Sequence, residues 1–248
     1  SLRSRHVTYA LFGFLPNTTE IDGSATWRQV RFSIMRLEPG RGDSSVRSRM
    51  SWLKQLKERR RYKKWIQDGR PLPPPPLAKR AMHLEYAERF GLKIFVETGT
   101  FKGDTVEAMR PHFERIYSVE LAEKFYQEAV KRFQGVDKVK LLQGDSGERM
   151  PEIVAELDAP TLFWLDGHYS GGDTAKGELA APVWAELKAI FAGMKEPFVI
   201  LIDDARCFTR VGGHAYPAVT DIEAWVAEQD RNLTVEVDMD CIRIAPKS

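Results

Sequence analysis

The chain has 248 residues, of which 43% are hydrophobic and 29% charged, a balance that suits a globular protein with a sizeable core, as one domain or a domain with an appendage. The net charge of +2 hides an asymmetry: residues 1–80 hold 18 Lys/Arg against 6 Asp/Glu, and the remainder holds 19 against 29, which suggests a basic extension on an acidic body. No apolar run approaches the roughly 20 residues of a membrane span, and Tyr9–Leu15 is too short and lacks a clear small-residue cleavage site, so a cytoplasmic protein is expected. Cys207 and Cys241 offer neither a metal-ligand spacing nor a disulfide framework.

Residues 1–49 show no clear periodicity beyond one short strand pattern near Gln29–Leu37. From Met50 to Ile66, Trp52, Leu56, Tyr62 and Trp65 recur among Lys54, Lys57, Arg59–Arg61, Lys63 and Lys64, and this predicts a basic amphipathic helix. Its charges are expected to be solvated and its aromatics packed on the body. Pro71 and Pro73–Pro76 then read as a semi-rigid polyproline spacer, which places a boundary between an extension, 1–76, and a domain, 77–248.

Beyond the prolines the pattern becomes regular. Met82, Tyr86 and Phe90 mark a helix stopped by Gly91. Strands are predicted at Lys93–Glu97, Arg115–Glu120, Val139–Gln143, Thr161–Asp166 and Phe198–Asp203. Helices are predicted between and after them: from about Thr105 with Asp104 as N-cap, then Ala122–Phe133, Met150–Leu157, Glu178–Phe191 and Ala218–Gln229. Apolar strands alternating with helices predict a doubly wound, mostly parallel α/β sheet. Leu233–Val237 and Cys241–Ala245 are too close for a parallel crossover, so a seventh strand returns in an antiparallel C-terminal hairpin.

In such sheets ligands sit beyond the carboxyl ends of the strands, so the residues that end strands carry the functional argument. The first strand runs into Glu97-Thr98-Gly99-Thr100-Phe101-Lys102-Gly103-Asp104-Thr105, a glycine turn with neither the dinucleotide spacing nor a P-loop lysine. Glu120, 23 residues after Glu97, ends the second strand, where a carboxylate can accept both hydroxyls of a ribose. Gly144-Asp145-Ser146 ends the third, where Asp145 could accept from an exocyclic adenine amine, and Asp166 ends the fourth.

This ordered set, Glu97-x-Gly99-x-x-x-Gly103, Glu120, Gly144-Asp145 and Asp166, resembles the successive motifs of the class I (Rossmann-like) S-adenosylmethionine-dependent methyltransferases over about residues 79–246. The first loop departs from the commoner pattern of three closely spaced glycines. The resemblance implies S-adenosylmethionine as cofactor, with Glu97 and Gly99 at its methionine end, Glu120 at the ribose and Asp145 at the adenine; Thr100, Gly103, Ser146 and Asp166 complete the expected contacts. Asp166 and the pair Asp203-Asp204 are also similar to the aspartates of metal-dependent small-molecule O-methyltransferases, which implies Mg2+ held by Asp166, Asp203 and Asp204. Such an ion would orient an acceptor hydroxyl and lower its pKa.

His168, two residues past Asp166, is the candidate general base, with Asp166 as its catalytic companion. Tyr169 and Arg206 are candidate substrate contacts, the pair Gly171-Gly172 a candidate lid, and His214 a weaker catalytic candidate; His83 and His112 read as structural. The chain also resembles cephalosporin-hydroxylase-like proteins in its Rossmann frame and Asp-x-x-His-like turn. The expected activity is methylation of a small hydroxylated molecule. The residues leave open a nucleoside-binding protein without catalysis, and a methyltransferase that engages nucleic acid through its basic helix.

Overall fold

The computed structural model describes residues 52–166, 182–209 and 216–247. The first helix, α1 (Trp52–Gln67), carries exposed Lys57, Arg60, Arg61, Lys63 and Lys64 and turns Trp65 inward. Trp65 is buried, and its indole N–H donates to the Pro71 carbonyl at 2.8 Å. The proline run is not a spacer: Pro74 and Pro75 are buried, and Pro76 opens the next helix, α2 (Pro76–Phe90). Proline is favoured at a first helical position because its fixed φ already suits the helix and its missing N–H costs nothing there. Glu58 on α1 pairs with Arg80 on α2 at 3.0 Å, and Gly91, at φ +63, caps α2 by donating to Ala87.

Seven strands follow: β1 (Ile94–Thr98), β2 (Arg115–Glu120), β3 (Val139–Gln143), β4 (Thr161–Leu165), β5 (Phe198–Ile202), β6 (Leu233–Asp238) and β7 (Cys241–Pro246). They form one sheet in the order β3-β2-β1-β4-β5-β7-β6. The first five are mutually parallel, and β7 runs antiparallel to both β5 and β6. The central strands β1, β4 and β5 are buried throughout, as their continuous apolar sequence requires.

Between the strands lie α3 (Asp104–Met109), α4 (Glu123–Arg132), α5 (Ser146–Ala155), α6 (Val183–Gly193) and α7 (Val219–Ala227). One core joins α5, α6 and α7 to the face bearing Val96, Phe163 and Ile200. The second joins α2, α3 and α4 to the face bearing Phe95, Leu162 and Val199. Helices therefore cover both faces, as expected of a doubly wound sheet.

Three helix starts differ from expectation, and one is α6, which opens at Val183 behind Pro182 rather than at Glu178. Asp104 is the first residue of α3 rather than its cap; Gly103, at φ +70, occupies the cap position, and the Asp104 carboxylate instead pairs with Arg132 on α4 at 3.0 Å. Helix α5 begins at Ser146, four residues before the expected Met150, because the Asp145 side chain caps it by accepting from the Gly147 N–H at 2.9 Å. Pro151 lies inside α5, where it lacks the N–H that would reach the Gly147 carbonyl. No helix among the described residues is long and apolar enough to cross a membrane.

Candidate active site

The strand order reverses between β1 and β4, and the carboxyl ends of β2, β1, β4 and β5 flank that switch point. Register fixes which side chains share a row. Glu97 lies opposite Ser118 on β2 and Trp164 on β4, so all three project from the face covered by α2.

Glu97 is almost fully buried, and the Ser118 hydroxyl donates to it at 2.8 Å while also bonding the Thr100 hydroxyl. Burial pushes the Glu97 carboxyl up to about 8, against the Ser118 hydrogen bond, and the neighbouring Asp166 and Glu120 charges add to the rise. A buried acid of this kind is poised to become a carboxylate when a cationic group arrives.

After Thr98 the chain turns through Gly99 at φ +87, Phe101 at φ +46 and Gly103 at φ +70. At Gly103 an added Cβ would stand 2.7 Å from the Phe133 ring, so both backbone and space demand glycine. The turn wraps onto Glu120, whose carboxylate accepts the Phe101 N–H at 2.7 Å and the Ala122 N–H at 2.8 Å. Each oxygen accepts one of these bonds, and each keeps acceptor capacity for a further donor. Just past β3, Gly144 adopts φ +134; Asp145 then caps α5, which the buried Ser146 opens. Six of the cofactor candidates, Glu97, Gly99, Thr100, Glu120, Asp145 and Ser146, thus lie along the ends of β1, β2 and β3, and Gly103 closes the loop that backs them.

The β4–β5 side of the switch point differs from expectation. Asp203, buried at the end of β5, is paired with the ammonium of Lys79 on α2, and Asp204 lies 3.8 Å from the same ammonium. The other Asp203 oxygen accepts the Asp204 N–H at 2.8 Å. Asp204 sits at φ +56 and pairs with Arg206 at 2.9 Å. Arg206, a candidate substrate contact, also pairs with the buried Asp240 in the β6–β7 turn and donates its backbone N–H to Asp240 at 3.0 Å. Its guanidinium is committed to holding this loop.

Burial and the Asp166 and Asp204 charges push Asp203 up to about 7, against the pull of Lys79. Burial would drag Lys79 down, but Asp203, Asp166 and Asp204 outweigh it and hold the ammonium above its ordinary value. Among the described residues no group of three or more His, Cys, Asp or Glu side chains is placed to hold a metal ion. The expected Mg2+ set does not fit. The cation beside Asp203 is instead the Lys79 ammonium, which occupies the place where the ion was expected.

Lys79 is the residue sequence reasoning missed. Its partner lies 124 positions away, and nothing in the α2 sequence marks one lysine among the basic residues nearby. His83 is buried with its ring 4.3 Å from that of Trp164, and burial lowers it to about 3; it is a neutral packing residue, as expected. Cys241 is buried, which pushes its thiol up, and Cys207 is half-buried; both are free. His168, Tyr169, Gly171, Gly172 and His214 lie outside the described residues.

No family model matches the chain, and no curated protein matches it. Solved structures do. An O-methyltransferase from Bacillus cereus in complex with S-adenosylhomocysteine matches at a TM-score of 0.51 and 13% identity, over 76% of this chain and 89% of that one. A provisionally assigned caffeoyl-CoA O-methyltransferase from Staphylococcus aureus gives 0.52 and 13%, over 79% and 96%. A provisionally assigned O-methyltransferase from Klebsiella pneumoniae gives 0.50 and 17%, over 86% and 93%. At these identities the likeness is one of fold: the chain shares with these structures a Rossmann-like α/β architecture, and its own sheet closes in an antiparallel hairpin.

Proposed function

We propose that this chain is an S-adenosylmethionine-dependent methyltransferase acting on a hydroxyl of a small molecule, with residues 77–248 as the catalytic domain and 1–76 as a basic extension. The observation that carries this reading is the succession Glu97, Glu120 and Asp145 along three adjacent strand ends, joined by the positive-φ turn from Gly99 to Gly103. The O-methyltransferases of the same fold support it, one of them holding S-adenosylhomocysteine.

The residues fit the cofactor. Glu120 retains acceptor capacity for the ribose hydroxyls, and Asp145, with one oxygen engaged by Gly147, keeps its other for the adenine amine. Glu97, held neutral by burial, gives up its proton to face the cationic methionine end, and the Gly99 turn lets backbone approach it without a Cβ. When bound, S-adenosylmethionine supplies an electrophilic methyl group on sulfur. The chain must then hold the acceptor hydroxyl in line and remove its proton. Asp166 stands beside that position at the end of β4, and His168 is the group proposed to take the proton.

A thermal-shift panel with S-adenosylmethionine, S-adenosylhomocysteine, NAD and NADP tests the reading. Ligand at 100 times its dissociation constant should add about 2.7 kcal/mol of stability, and the account expects this for the two adenosyl ligands alone. A response to NAD, with none to either adenosyl ligand, would refute it.

A further inference from the structure

We propose that Lys79 is the resident cation of the acceptor end: an ammonium built into α2 takes the place of a divalent metal there and presents a hydrogen-bond donor to the acceptor oxygen. The inference rests on the methyltransferase reading, but its physical basis is separate. Lys79 is the fourth residue of α2, immediately after the Pro76 start. Its backbone is fixed by the buried neighbours Ala78 and Arg80, and Glu58 on α1 holds Arg80 in turn.

From this anchored position the side chain crosses to β4 and β5. Its ammonium lies 5.8 Å from the centre of the Trp164 ring and pairs with Asp203, whose side chain is 3% exposed. Lys79 itself remains 20% exposed, so it reaches the buried carboxylate while staying open to the rim. An ammonium has three N–H donors. Asp203 accepts one of them, and Asp204 at 3.8 Å is an ion-pair partner beyond hydrogen-bonding range, which leaves donors for an incoming oxygen.

The charge arrangement explains why the cation is needed. Three carboxylates, Asp166, Asp203 and Asp204, act on Lys79 together. Like charges so placed repel unless a cation offsets them. Arg206 serves Asp204 from the side of Asp240, and Lys79 is the cation that reaches Asp203. A divalent ion entering here would have to displace an ammonium already hydrogen-bonded to its best ligand.

Manganese titration of the full chain, followed by the loss of the free Mn2+ electron paramagnetic resonance signal, tests this. The wild-type protein should leave Mn2+ free at millimolar concentration. At pH 8.5 under argon, where Asp203 without its ammonium can still ionise, Lys79→Met should bind one Mn2+ at least ~10-fold more tightly than wild type, because a buried carboxylate that has lost its cation must take up a proton or another cation, and Lys79→Arg should behave as wild type. Tight Mn2+ binding by the wild-type chain would overturn the proposal, and that titration decides the matter even if Lys79→Met does not fold. A folded Lys79→Met with no gain in Mn2+ affinity would overturn it as well. S-adenosylhomocysteine binding is measured on the same wild-type sample: its absence would sink the methyltransferase reading, whatever the Mn2+ result.

Discussion

Replacing Glu97 by Gln isolates the energetic cost of placing an ionisable acid at the centre of the rim. In the folded chain burial raises the Glu97 carboxyl from 4.5 to about 8. Between those values the folded state holds a proton that the unfolded state has lost. Stability therefore falls as pH rises through this window, at about 1.4 kcal/mol per pH unit. From pH 5 to pH 7 the loss is roughly 2–3 kcal/mol; below about pH 3 both states are protonated and the contribution is constant. Glutamine cannot ionise, and its carbonyl can still accept from Ser118.

The amide adds a pH-independent cost of its own, because its NH2 group is buried. The informative quantity is therefore the change with pH in the stability difference between wild type and Glu97→Gln. Urea unfolding of both proteins at pH 5, 6 and 7 measures it. The account predicts that Glu97→Gln gains on wild type by roughly 2–3 kcal/mol across that range. A difference that stays flat would refute the claim that Glu97 is held neutral by burial. The same logic reaches binding: a cationic ligand favours the carboxylate, so S-adenosylmethionine should displace close to one proton at pH 7. Calorimetric enthalpies in buffers of different ionisation heat would reveal it.

Two further substitutions test the scaffold around the rim. Gly103→Ala forces a side chain into φ +70 and to within 2.7 Å of Phe133, and should cost about 2–3 kcal/mol in urea unfolding; an unchanged midpoint would show that the loop relaxes freely. Asp240→Asn tolerates the left-handed backbone at φ +60 but removes the charge facing Arg206. Because Arg206 is 43% exposed, the loss should be modest, about 1–2 kcal/mol, with S-adenosylhomocysteine affinity unchanged; a drop in that affinity would place Asp240 in the binding site instead.

The parts of this molecule legible in the sequence are those encoded locally. Strands β2 and β3 have the expected bounds because apolar runs are punctuated by Glu120 and by Gly144. The hairpin of β6 and β7 is legible because two strands separated by a short turn must be antiparallel. The proposed cofactor rim follows from these, since Glu97, Gly99, Glu120 and Asp145 sit at or just past strand ends. The start of α5 was hidden because Asp145 reads equally as a ligand group and as a helix cap, and the structure uses it as a cap. The proline run was hidden because the same residues suit a spacer or a helix start, and only the burial of Trp65, Pro74 and Pro75 decides.

Least legible was the end of β5. Adjacent aspartates at Asp203 and Asp204 suggest a metal, and the pattern is real. The cation that answers them comes from a helix far earlier in the chain. Pairing across that distance depends on how α2 packs against β4, which no local spacing encodes.

A crystal structure of the chain with S-adenosylhomocysteine bears most directly on the central claim. The account predicts ribose hydroxyls on the Glu120 carboxylate, adenine beside Asp145 and Ser146, and the amino-acid end of the ligand against Glu97 and Gly99. Ligand bound away from the ends of β1, β2 and β3, or none bound at saturating concentration, would contradict it.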